Sequence, residues 1–173
     1  MEFLEVVQKR RSIRAFKTNP IEPAKLKAIL NAINLSPSAG NLQAYEVYQV
    51  NQPQVKSALA QAAFMQTFIV DAPVILIFCA NPYRSADRYG ERGIQLYSVQ
   101  DATIACTVAH LAVTDQGLGS VWIGAFDPGA VRKAASIPDS LLPVAILPIG
   151  YPAENPPRRS RRSLKDLIHL VEA

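Results

Sequence analysis

A chain of 173 residues, 49% apolar and only 18% charged, can bury a full core as one domain over residues 1–173 and has apolar surface to spare for a second copy of itself. Its formal charge of +4 is local: 9 of its 18 Lys and Arg residues lie in Lys9–Arg14 and Arg158–Lys165. The rest sets 9 bases against 14 acids, which argues against a nucleic-acid surface. No apolar run approaches the ~20 residues of a membrane helix, and the acidic start Met1-Glu2-Phe3-Leu4-Glu5 lacks a signal-peptide pattern, so a cytoplasmic protein without a membrane partner is expected.

Along the chain, Phe3, Leu4, Val6 and Val7 suit a short amphipathic helix over residues 2–10 that leads into the first arginine cluster. Glu22-Pro23 opens a second helix, with Leu26, Ile29, Leu30 and Ile33 on one stripe, and Ser36-Pro37 ends it. Residues 45–50 alternate as a strand, and residues 54–63 form a helix behind Pro53. Val74–Ala80 is a continuous apolar run between prolines and reads as a strand buried on both faces. Asn81–Gln95 carries Tyr83, Arg84, Arg88, Tyr89 and Arg92 and reads as a small mobile lid. The Ala-rich stretch 99–116 is a central buried helix that Asp101 or a neighbour caps and Gly117-Leu118-Gly119 stops. Val121–Ala125 is a strand, Asp127-Pro128 caps a short helix to about Ser136, and Val144–Ile149 is a further strand. The tail from Tyr151 is rich in proline and arginine. The whole reads as an α+β domain.

The chemistry begins with the arginines. Lys9-Arg10-Arg11-Ser12-Ile13-Arg14 and Arg158-Arg159-Ser160-Arg161-Arg162 contain no acid, and a guanidinium offers a planar fork of donors that suits phosphate oxygens. Two such clusters with interleaved serines suggest one shared anion. Other signals are absent or weak. Gly117-Leu118-Gly119-Ser120-Val121-Trp122 has a tryptophan where a dinucleotide fingerprint has its third glycine. Cys79 and Cys106 stand alone in apolar segments and suit core packing, and no Cys/His spacing marks a metal site. His110 reads as a core histidine. A phosphate-type site with so few acids, bases or nucleophiles points to chemistry carried by a bound cofactor. Ser36-Pro37-Ser38-Ala39-Gly40-Asn41-Leu42-Gln43 is a loop of small residues that lets backbone approach a flat ligand, and Gly124-Ala125 ends a strand with bare backbone.

Four segments in order carry a resemblance. Arg10-Arg11-Ser12-Ile13-Arg14-Ala15-Phe16, Ser36-Pro37-Ser38-Ala39-Gly40-Asn41-x-Gln43, Gly119-Ser120-x-Trp122-Ile123-Gly124-Ala125-Phe126 and Leu147-Pro148-Ile149-Gly150-Tyr151-Pro152, followed by the Arg-Ser-Arg tail, strongly resemble the nitroreductase family of FMN-dependent flavoproteins. The resemblance implies a mixed central sheet flanked by helices, in an intertwined homodimer with FMN at the interface. It implies that Arg10, Arg11, Ser12 and Arg14 hold the FMN phosphate and ribityl chain, with Arg159 and Arg161 approaching the phosphate from the tail and Arg158 and Arg162 in solvent. Pro37, Ser38, Ala39 and Asn41 are expected from the partner subunit against the flavin ring. Ile123, Gly124 and Ala125 are expected to present backbone to the ring's reactive edge.

This chain departs from the family pattern in two places. Met65-Gln66-Thr67-Phe68 stands where many members carry an Asn and a Lys, which leaves Gln66 as the substitute at the pyrimidine edge. Ala44-Tyr45 stands where Trp is usual. The implied reaction is hydride transfer from NADH or NADPH to FMN N5 and then reduction of a small acceptor, nitroaromatic or quinone-like, with ping-pong kinetics. The alternatives are a flavin-storage protein without turnover and a family variant that acts by dehalogenation or dehydrogenation.

Overall fold

The computed structural model describes residues 1–171. Helix α1 (Phe3–Lys9) precedes the first arginine cluster, and α2 (Pro23–Asn34) starts with proline at its first position, where the missing N–H costs nothing. Strand β1 (Tyr45–Val50), helix α3 (Pro53–Ala62) and strand β2 (Val74–Ala80) follow. Helix α4 (Pro82–Arg92) and a π-helical turn (Gly93–Tyr97) run into the long α5 (Ser98–Asp115). Then come the short β3 (Gly119–Ser120), α6 (Pro128–Ala135) with Asp127 accepting from the Ala130 N–H at its start, β4 (Leu142–Gly150), and a single exposed turn α7 (Leu164–Leu167).

The sheet order is β1-β2-β4-β3, antiparallel at each pairing. Strands β2 and β3 point the same way, but β4 is inserted between them. The parallel component of the mixed sheet therefore reduces, among the described residues, to one bridge, Ser12 beside Ser120. Every residue of β2 is buried. Ile75, Ile77 and Cys79 pack toward α3 and α6 with Leu59, Ile69 and Val131. Leu76 and Phe78 face the other way, onto Ile29 of α2 and Ala105, Cys106 and Ala109 of α5. The continuous apolar run thus serves two layers of core, as its lack of alternation requires. Burial pushes the Cys79 thiol up to about 12 and raises that of Cys106 further, so both stay protonated packing groups.

Two expectations are corrected. Asn81–Gln95 is not a loop: it is the helix α4, started by Pro82 and broken at Gly90 (φ +53°), and the start of the π-helical turn. Val121–Ala125 is not a continuous strand: β3 ends at Ser120, and only Ile123 rejoins the sheet, at Ile146. Among the described residues, no helix is long and apolar enough to cross a membrane.

Candidate functional site

The two arginine clusters meet because the chain on either side of them pairs. Ile13 donates its backbone N–H to Ser120 O at 3.0 Å, which lays residues 10–14 along β3. The approach is so close that a Cβ on Gly119 would lie 2.8 Å from the Ile13 side chain, so only glycine fits there. On the other side, Lys17 N–H donates to Tyr151 O at 2.8 Å and Ala153 N–H to Ala15 O at 2.9 Å, a short ladder that returns the tail over the same segment. Glu154 closes it, accepting from the Arg14 N–H and, at 3.2 Å, from the Ala15 N–H.

The result is a cavity of about 520 Å³, within the range of small-ligand sites. Arg10, Arg11, Ser12 and Arg14 form one wall, and Arg158, Arg159 and Arg161 the other. Arg158 is exposed, as expected, and also lines the cleft. Among the described residues none of these arginines forms an ion pair with a carboxylate. Arg11 donates to the carbonyls of Gln8 and Arg10, and Arg161 to those of Arg159 and Ser160. Burial, followed by the charges of Arg161 and Arg11, lowers the Arg10 pKa from its ordinary value. Concentrated like charge without a counter-ion is costly alone and is relieved by a bound anion.

A second cavity of about 260 Å³ adjoins the first through Arg10 and Ser12 and continues to Thr107, His110, Leu111 and Trp122. His110 is buried, with Arg10 Nη1 3.0 Å from its Nε2 and the Ser120 Oγ 3.3 Å from its Nδ1. Beyond Trp122 the chain turns through Gly124, whose absent Cβ would lie 3.3 Å from the indole nitrogen. Ile123 does not present its backbone outward. Its N–H and C=O both bond Ile146 at 3.0 Å, and its side chain is buried, because this is where the segment rejoins the sheet. The N–H groups of Gly124 and Ala125 have no acceptor among the described residues. Gln66 reaches this spot, its amide nitrogen donating to Ala125 O at 3.3 Å and Ala63 O at 3.1 Å.

The loop 36–43 lies elsewhere, over the first turns of α5. Asp101 does not cap that helix. Its buried carboxylate accepts from the Ala39 N–H at 2.9 Å and the Ala44 N–H at 3.2 Å, and so folds Pro37, Ser38, Ala39 and Asn41 into a tight turn. Gly40, Asn41 and Gln43 all take left-handed backbone angles. Arg84 and Arg88 of α4 donate to the carbonyls of Leu42 and Gly40. Within one chain, then, Arg10, Arg11, Ser12, Arg14, Arg159 and Arg161 share a cleft and Gln66 joins Gly124 and Ala125, while residues 37–41 stand apart. His110, Trp122, Asp101 and Glu154 were missed as site residues. A lone histidine or acid on an apolar helix carries no local signal of its partner.

The nitroreductase family model matches residues 7–71 and 64–151. An NADH dehydrogenase of Thermus thermophilus is 31% identical over 173 residues, covering 84% of this chain and 84% of its own. A Bacillus subtilis protein named an NAD(P)H FMN reductase is 30% identical and covers 97% of this chain and 73% of its own. Among solved structures, a nitroreductase family protein from Clostridium novyi superposes with a TM-score of 0.81 at 32% identity, covering 92% of this chain and 89% of that one. The NADPH:FMN oxidoreductase of Vibrio harveyi complexed with NAD+ superposes at 0.89 with 25% identity, covering 99% and 77%. The chain belongs to the nitroreductase family.

Proposed function

We propose that this chain is an FMN-dependent NAD(P)H oxidoreductase that passes reducing equivalents to a small acceptor, nitroaromatic or quinone-like, by ping-pong kinetics. The observation that carries the reading is the carboxylate-free arginine cleft continuous with the Trp122 cavity. Arg10, Ser12, Arg14, Arg159 and Arg161 offer donors to a phosphate monoester, as charge-assisted hydrogen bonds. Trp122 and Leu111 offer apolar surface to the rest of the cofactor, and the N–H groups of Gly124 and Ala125 offer donors with no competing acceptor in the chain. Bound FMN supplies hydride acceptance from NAD(P)H and hydride delivery to the acceptor. The chain's own part is to hold the phosphate, to orient the ring, and to aim fixed backbone dipoles at the edge where negative charge collects. No side chain is assigned as a proton donor.

The working unit is a homodimer of residues 1–173 in which the partner's Pro37–Asn41 loop covers the ring. Two features support it. The chain exposes 10168 Å², against roughly 8,300 Å² for a compact monomer of this length. Phe3, Leu4, Leu164 and Leu170 are each at least two-thirds exposed, more apolar surface than a monomer keeps in water. The reading assigns the protein to the cytoplasm, where NAD(P)H is available.

Anaerobic mixing of FMN-loaded protein with NADH or NADPH tests the enzyme reading. The expected result is bleaching of the flavin absorbance, with recovery on adding an acceptor; flavin that binds yet never bleaches would instead mark a storage protein. Light scattering on the loaded protein is expected to give twice the chain mass.

A further inference from the structure

Among the described residues, Arg10 is the one cleft arginine whose guanidinium ends on another side chain. A guanidinium has donors only, so His110 must present a lone pair at Nε2. Its proton then sits on Nδ1, 3.3 Å from the Ser120 oxygen, which accepts it. The ring is held in the buried stripe of α5, one turn from Cys106 and Val113. Ser120 is itself fixed, since its carbonyl accepts the Ile13 N–H and its residue bridges Ser12. The relay therefore joins α5 and β3 to the arginine segment that β3 already carries.

The groups around the ring leave this tautomer undisturbed. Thr107, Leu111 and Trp122 bring no charge. Asp115, farther along α5, is occupied by the N-terminal amine and Gln116. Burial, and secondly the Arg10 charge, push the His110 pKa down to about 4, so the ring is neutral at ordinary pH. An arginine free to wander loses rotamer freedom on meeting a ligand; one already hydrogen-bonded in place has lost part of it beforehand.

We infer that His110 is a positioning residue for the phosphate: the neutral, Nδ1-protonated ring, braced by Ser120, holds the Arg10 guanidinium in the cleft with its remaining donors directed to the anion. The inference rests on the FMN reading. The test is titration of cofactor-stripped full-length protein with FMN and with riboflavin, which lacks the phosphate, followed by flavin fluorescence. His110→Leu is expected to weaken FMN binding roughly tenfold or more, the scale of a hydrogen bond to a charged group, with riboflavin binding unchanged. His110→Gln, which restores an acceptor oxygen, is expected to recover most of the loss. A loss equal for FMN and riboflavin, or no loss, overturns the role. An unaltered chain that binds FMN no more tightly than riboflavin overturns it too, and marks the phosphate site itself as the failure.

A second measurement needs no destabilising variant. The chain has only two histidines, so nitrogen-15 spectra resolve both rings, with His169→Gln assigning them. An Nδ1–H, Nε2-acceptor ring at neutral pH is expected for His110. The opposite tautomer, or an imidazolium, overturns the relay.

Discussion

Two sets of arginines face two backbone segments, and the fold uses them in opposite senses. Along residues 10–17 the backbone is satisfied by ladders to Ser120 and Tyr151–Ala153, and the guanidiniums of Arg10 and Arg14 are left to a cleft without acids. Around residues 39–43 the backbone bends through left-handed angles, Asp101 accepts two of its N–H groups, and Arg84 and Arg88 donate to its carbonyls. Arg10 keeps donors beyond the one on His110, and Arg14 has no protein partner for its guanidinium among the described residues, whereas Arg84 and Arg88 tie protein to protein.

The sharpest way to separate the two regions is acid: a carboxylate braces the backbone of each, Glu154 in one and Asp101 in the other, but only the cleft side also holds a buried histidine. His110 has an ordinary pKa near 6.5 when unfolded and about 4 when folded. The unfolded chain therefore takes up the proton first as pH falls. The stabilisation is whole above about pH 6.5 and is lost between there and about 4, on the order of 3 kcal/mol. Denaturant unfolding of the unaltered chain and of His110→Gln across that range should diverge by this amount; parallel curves would break the comparison on the cleft side.

Next in size, Arg14→Ala should weaken FMN binding by roughly 1.5–3 kcal/mol, measured by titration, with folding stability little changed. Asp101→Asn should act on folding stability instead, with any loss of flavin binding shared equally by FMN and riboflavin. One of its two accepting oxygens becomes a donor against a buried N–H, costing about 1–3 kcal/mol of stability in thermal or denaturant melts. The advantage of FMN over riboflavin should survive, and its disappearance would mean that loop and cleft are not separate. Smallest of all, Arg88→Ala removes a long, exposed bond to Gly40 O and should shift stability by no more than ~0.5 kcal/mol.

Much of this was legible in the residues because it is local. Pro23, Pro53 and Pro128 mark helix starts, the unbroken apolar run of Val74–Ala80 marks the central strand, and Gly117 follows the end of α5. What escaped depends on contacts across the chain. Asn81–Gln95 looked like a loop because its charges and Gly90 obscure the helix that Pro82 opens. Asp101 looked like a cap because its true partners, Ala39 and Ala44, lie some sixty residues away. The order of the strands hid the antiparallel character of the sheet, since β4 comes last in sequence yet pairs in the middle. The motif at residues 10–14 does line a cleft with the tail arginines, but neither Glu154 nor His110 advertises its contact with that segment.

The ladder that brings Tyr151–Glu154 back over Arg14–Lys17 joins parts of the chain 140 residues apart. During synthesis the second wall of the cleft emerges only after α5 and the whole sheet have left the ribosome. An anion that needs both walls can be held only once the tail has paired, and a product truncated before Tyr151 would keep Arg10, Arg11 and Arg14 but lack Arg158, Arg159 and Arg161.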